Sequence, residues 1–144
     1  MPEVREIGPG ESHLAYTAMR ELRPHYKGEG LFVTTVDEMR AGGYRLIGSF
    51  PDGGSIAVAV AGFRIATNLP WGRHLYVDDL STHPRGRGQG HAGALLDWLE
   101  QEARRHGCGQ MHLDSGVGLH RADAHRLYLN KRFVISAHHF QKEL

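Results

Sequence analysis

One cysteine, Cys108, in 144 residues leaves the chain without an internal disulfide. It follows His106-Gly107 at an expected helix end, where a packed thiol is expected rather than a nucleophile, which needs a positioned base. No apolar run approaches the roughly 20 residues that cross a bilayer. The opening residues MPEVREIGPG lack a basic region followed by an apolar one, so no signal peptide is visible and a cytoplasmic location is expected. Neither charge sign dominates: 17 Lys and Arg against 16 Asp and Glu give a formal net charge of +1, and no nucleic-acid or membrane partner is expected. The 11 histidines lack ligand spacing, since neither His138-His139 nor His120 with His125 forms an H-E-x-x-H or a Cys/His finger. No metal is expected. Repeats, linkers and low-complexity segments are also missing, and the length suits one domain, 1–144.

What the chain does have is concentrated between Leu75 and Leu99, LYVDDLSTHPRGRGQGHAGALLDWL. An apolar strand passes through a loop rich in glycine and arginine into an amphipathic helix. The first turn of such a helix has N–H groups without intrahelical acceptors, and the macrodipole adds partial positive charge, which suits the loop to phosphate. Gly86, Gly88 and Gly90 allow positive φ and a close backbone approach to a ligand, while Arg85 and Arg87 add charge-assisted donors. The loop is neither G-x-x-x-x-G-K-[ST] nor a G-x-G-x-x-G with an acidic residue at the expected distance, so both nucleotide readings fail.

Elsewhere the pattern predicts a short strand at Val4–Ile7 and a helix over Glu11–Leu22, with Leu14, Ala18, Met19 and Leu22 on one face. Thr35-Val36-Asp37-Glu38 has the form of a capping box and predicts a second helix ended by Gly42-Gly43, with Pro24–Gly30 a loop. Strands are expected at Tyr44–Phe50, Ile56–Ala66 and His74–Thr82, the first two joined by the turn Pro51-Asp52-Gly53-Gly54. A helix over Gly90–His106 buries Ala92, Leu95, Leu96, Leu99 and Ala103, and the strand Gln110–Asp114 then lies parallel to His74–Thr82. A helix from Arg121 to Lys131 and a β-prone tail, Phe133–Phe140, complete the chain.

The loop resembles the acyl-CoA pyrophosphate loop of the GNAT superfamily of N-acyltransferases, whose signature is Arg/Gln-x-x-Gly-x-Gly/Ala. Arg85-x-x-Gly88-x-Gly90 fits it, and Arg87-x-x-Gly90-x-Ala92 fits better, with Pro84 before the arginine and Leu95-Leu96 after the loop. The order β, α, α, β, β, β, α, β, α, β is also that of the family. The resemblance implies an α/β (α+β) GNAT fold: a mixed, mostly antiparallel sheet of about six to seven strands with a splayed parallel pair, flanked by about four helices.

It further implies acetyl-CoA as co-substrate, held by Arg87, Gly88, Gln89, Gly90, His91 and Ala92. Leu80, Ser81 and Thr82 would pair with its pantetheine arm, with the Leu80 N–H facing the thioester oxygen. Ala124-His125-Arg126-Leu127-Tyr128, followed by Phe133, is similar to the family's last helix, where the tyrosine protonates the departing thiolate; this assigns Tyr128 as the acid. Arg132 replaces the family's glycine before Phe133, which suggests a different turn, and Arg121 replaces an asparagine that contacts the cofactor. Asp78 and Asp79 sit in an apolar strand where a carboxylate is costly unless paired or functional. Alternation sends them to opposite faces. Asp78 is taken as the base by likeness to some aminoglycoside acetyltransferases, against an ion pair with Arg64 or Arg73. Asp114, Ser115, His120, Arg121 and His125 form a second polar group, similar to that of small-amine and aminoalkylphosphonate acetyltransferases. The expected activity is acetyl transfer to a primary amine of a small molecule. The alternatives are a peptide N-terminus or lysine as acceptor, or an acyl-CoA-binding module without turnover. A homodimer is the oligomeric state the resemblance implies.

Overall fold

Alternating apolar residues on both sides of the central strands dictate a sheet covered on two faces, and that is what the computed structural model shows for residues 2–144. The order is β1 (Glu3–Ile7), α1 (Tyr16–Leu22), α2 (Glu29–Ala41), β2 (Arg45–Phe50), β3 (Ala59–Asn68), β4 (Gly72–Thr82), α3 (His91–Arg105), β5 (Gln110–Leu113) and α4 (Ala122–Asn130). The strands lie in the order β1-β2-β3-β4-β5, antiparallel from β1 to β4, with β4 and β5 forming the one parallel pair. By internal contacts the chain falls into two compact units, residues up to His112 and residues from Leu113 onward.

In the first unit, Tyr44, Leu46, Phe50 and Val60 pack with Ala18 and Met19 of α1 and Phe32 and Val36 of α2. The alternate residues serve the other face, where Arg45 reaches Glu102 of α3, Ser49 reaches His91, and Phe63 meets the edge of Trp98. Leu95, Leu96 and Leu99 of α3 are buried as their spacing requires.

Three expectations change. The first helix is split, with a 3₁₀ turn at Ser12–Ala15 before α1. The second begins at Glu29 and not at the Thr35 capping box; Thr35 Oγ1 instead donates to the carbonyl of Leu31 at 2.8 Å. Burial of Phe32 and Val36, one turn apart, extends the helix past its local start signal, because packing outweighs a cap worth about 1 kcal/mol. The sheet has five strands instead of six or seven, since Phe133–Phe140 forms none and leaves Val134, Ile135 and Phe140 exposed. β-propensity expresses fit to a half-buried pleated surface, and without a paired neighbour it does not make a strand.

Candidate functional site

Pro84 opens a 3₁₀ turn, Pro84–Gly86, capped by His83, whose Nδ1 accepts from the Arg85 N–H. Gly88 (φ 74°) and Gly90 (φ 84°) are left-handed, which explains glycine at both. Gly86 is not; it is small for another reason, since a Cβ there would come within 2.7 Å of Val58 Cγ2. The first bond of α3 runs from the Ala94 N–H to the carbonyl of Gly90 at 3.0 Å. The N–H groups of His91, Ala92 and Gly93 therefore precede it at the positive end of a 15-residue helix. Arg85, Arg87 and Gln89 surround them, exposed. The His91 ring turns inward, Nδ1 2.8 Å from the buried Ser49 Oγ, so what His91 offers a ligand is its backbone.

Just upstream, β4 is irregular. Gly62 pairs with Asp79 but Phe63 pairs with Val77, so Asp78 is an extra residue with no partner on β3. Directly paired residues share a face. Val77 thus shares Phe63's face toward α3, and Asp79 that of Gly62, toward α1 and α2. The bulge overturns the expectation that Asp78 and Asp79 point apart: both line one open cavity with Arg23, Tyr44 and Arg64.

Both carboxylates are paired. Arg64 holds Asp78 bidentately, Nε to Oδ2 at 2.8 Å and Nη2 to Oδ1 at 2.7 Å. Arg23 Nε donates to Asp79 Oδ1 at 2.9 Å, and its Nη2 to the carbonyl of Asp78 at 2.9 Å. Tyr44 donates its hydroxyl to Asp79 Oδ2 at 2.6 Å. Burial, reinforced by the charge of Asp79, pushes the Tyr44 phenol well above its usual range and keeps it a donor. Gly62 makes room for this pair, since a Cβ there would collide with the Tyr44 hydroxyl and lie 2.7 Å from Asp79 Oδ2. Asp79 also forms part of the wall of a second cavity of about 190 Å³, which is bordered by the helices α1 and α2 and the segment between them.

Past the bulge, Ser81 gives its hydroxyl to the carbonyl of Ala18 at 2.7 Å. The Gly109 N–H bonds to the carbonyl of Arg73 at 3.0 Å, which sets the start of β5 beside the start of β4. The four residues of β5 then accompany only the first part of the 11-residue β4, and Leu80, Ser81 and Thr82 continue beyond them.

A strand that outruns its parallel neighbour, then a glycine loop and a helix start with free N–H groups, is the arrangement implied by the resemblance, and the sequence model of the acetyltransferase (GNAT) family matches residues 13–133. The chain belongs to the GNAT family. An N-acetyltransferase of Bacillus subtilis (strain 168), YhdJ, described as uncharacterized, is 38% identical over 85 residues. That match spans 58% of this chain and 58% of the relative, less than two thirds of its length. A transcriptional regulator from Bacillus halodurans C-125 has the same fold, with a TM-score of 0.84 at 20% identity over the whole of both chains. The aminoglycoside N-acetyltransferase AAC(6')-Iy, solved with CoA, gives a TM-score of 0.83 at 13% identity, covering all of this chain and 95% of that one.

The second unit holds the GNAT-like tyrosine helix. Burial raises the Tyr128 phenol above its usual value, while the charge and hydrogen bond of Arg121 pull the other way. Arg121, two helical turns before Tyr128, also reaches Ser115 Oγ at 3.4 Å. His125 Nε2 lies 3.1 Å from Ser115 Oγ and 2.9 Å from the carbonyl of Gly116, so these residues tie the loop to α4. His120 is exposed, and Asp114 lies 3.5 Å from His139. Arg132 keeps the left-handed conformation, φ 71°, in place of the family's glycine. The Phe133 N–H bonds to the carbonyl of Tyr128 at 3.0 Å, so the helix closes in a turn with the arginine side chain in place. Burial raises the Cys108 thiol, which suits the packed role expected of it. Among the described residues no group of three metal-ligating side chains occurs.

Arg23, Tyr44 and Gly62 are the site residues that sequence reading missed. A tyrosine and a glycine in apolar stretches were visible; the bond from Tyr44 to Asp79, 35 residues away and over Gly62, was not.

Proposed function

We propose that the chain works as a single domain, 1–144, and is an acetyl-CoA-dependent N-acetyltransferase acting on a primary amine of a small molecule. The observation that carries this is strand β4, which presents two carboxylates to a cavity and then leads into the glycine loop and the free N–H groups of α3. Acetyl-CoA supplies the activated acyl group as a thioester. Arg87, Gly88, Gln89, Gly90, His91 and Ala92 would hold its phosphates, and open space beside Gly88 and Gly90 fits that role. Ser81 and Thr82 offer backbone groups to the pantetheine arm. The Leu80 N–H stabilises negative charge as it develops on the thioester oxygen, more than in the ground state. Tyr128 gives its proton to the departing thiolate, and Arg121, expected as a cofactor contact, supports it through the hydrogen bond between them.

For the base we put forward Asp79, with Asp78 the alternative. Asp79 takes part in both cavities, whereas Asp78 lines the open one alone. A carboxylate has about four acceptor sites, so Asp79 retains two for an amine N–H.

Thiol release from acetyl-CoA across a panel of small amines tests the reading, and at least one amine is expected to give amine-dependent release. In Gly90→Glu a bulky negative side chain enters where phosphates approach, at a backbone position that also resists side chains. Calorimetric titration is expected to show loss of CoA binding with the fold retained. Unchanged CoA affinity overturns the proposal.

A further inference from the structure

The cavity beside Asp79 combines apolar walls with the polar side chains of Arg23, His25, Tyr26, Thr35 and Tyr44. Its walls include Met19, Phe32, Val36 and Met39. Phe32 is backed by the ring of Tyr16, 5.6 Å away, and the two methionines can adjust to a ligand's shape. Of the polar side chains around it, Thr35 has given its hydroxyl proton to the carbonyl of Leu31. Arg23 has its Nε and Nη2 committed to Asp79 and to the Asp78 carbonyl. At about 190 Å³ the cavity is smaller than the roughly 300–1,000 Å³ of drug-sized ligand sites.

From this geometry we infer that the acceptor is a primary amine on a compact apolar body, an aralkylamine or short alkylamine, and not a polyhydroxylated amine. The inference rests on the acetyltransferase reading and narrows it. An apolar body loses contact with water against these walls, and its nitrogen meets the remaining acceptor sites of Asp79. A sugar amine in the same place turns hydroxyls toward Met19, Phe32, Val36 and Met39, which cannot bond them, and each unsatisfied polar group weakens binding.

The test compares kcat/KM for benzylamine, 2-phenylethylamine and hexylamine with that for glucosamine and a lysine-containing peptide, alongside Met39→Lys. Met39 is partly exposed, so the fold accommodates lysine there, while the cavity gains a cation. The apolar amines are expected to be favoured by about tenfold or more, the scale of one to two unpaired hydroxyls. Met39→Lys is expected to raise their KM about fivefold or more by repulsion of the ammonium form, with CoA affinity unchanged. Faster turnover of glucosamine or of the peptide overturns the substrate class and leaves the acetyltransferase reading standing. So does an unaltered KM for the apolar amines in Met39→Lys. Absence of thiol release with every amine overturns both.

Discussion

Tyr128 shows how one residue's role depends on its immediate partners. Its phenol is raised by burial, which keeps the proton on it throughout the neutral range, and the neighbouring Arg121 guanidinium stabilises the phenolate left after donation. With the proposed role as acid, Tyr128→Phe is expected to leave acetyl-CoA affinity unchanged and to lower the single-turnover rate by about 10²-fold or more. An unaltered rate assigns Tyr128 to packing against Phe133, whose ring lies 6.1 Å away. Gly62 makes the same point from the side of size. It is small because Tyr44 and Asp79 meet over it, a reason no local conformational rule supplies.

At the scale of the element, the bulge in β4 decides the most. Without it, alternation continues from Val77 and directs Asp79 toward α3 and the buried leucines; with it, both carboxylates turn to the α1 and α2 side. Asp79→Asn is expected to depress kcat/KM most at low pH, where few acceptor amines are neutral, with the defect shrinking as pH approaches the amine's own pKa. Asp78→Asn, which breaks the pair with Arg64, is expected to show no such rescue. PH profiles of the two variants check this, and the reverse pattern moves the base to Asp78. Rescue in neither variant removes the base from this strand.

On the scale of the first unit as a whole, Glu102 links helix to sheet. The carboxylate is buried and accepts from Arg45 of β2 at 2.7 Å and from Arg105 at 2.8 Å; Arg45 also holds Glu6 of β1 at 2.8 Å. Burial alone raises a carboxyl, but the hydrogen bonds from Arg105 and Arg45 prevail and hold Glu102 below its usual 4.5. A depressed folded value means that the unfolded chain binds the proton first as pH falls. The stabilisation is therefore complete above the ordinary glutamate range and is lost as pH drops through the lowered folded value. Thermal melts are expected to show that acid-side loss in the native chain and less of it in Glu102→Gln. At neutral pH the variant is expected to be less stable by about 2 kcal/mol, having left Arg45 and Arg105 without their shared partner. The ends of α3, its leucine stripe and the glycine loop were legible in the sequence, because each rests on residues within a turn or two of one another: Leu95, Leu96 and Leu99 repeat at helical spacing, and Gly88 and Gly90 need only their own φ. The family followed from the same short stretches. The start of α2, the fate of Phe133–Phe140 and the side to which Asp79 turns were decided by tertiary structure alone. Each depends on a surface, a pairing partner or a register supplied by residues far away in the chain, and a local pattern carries no record of those.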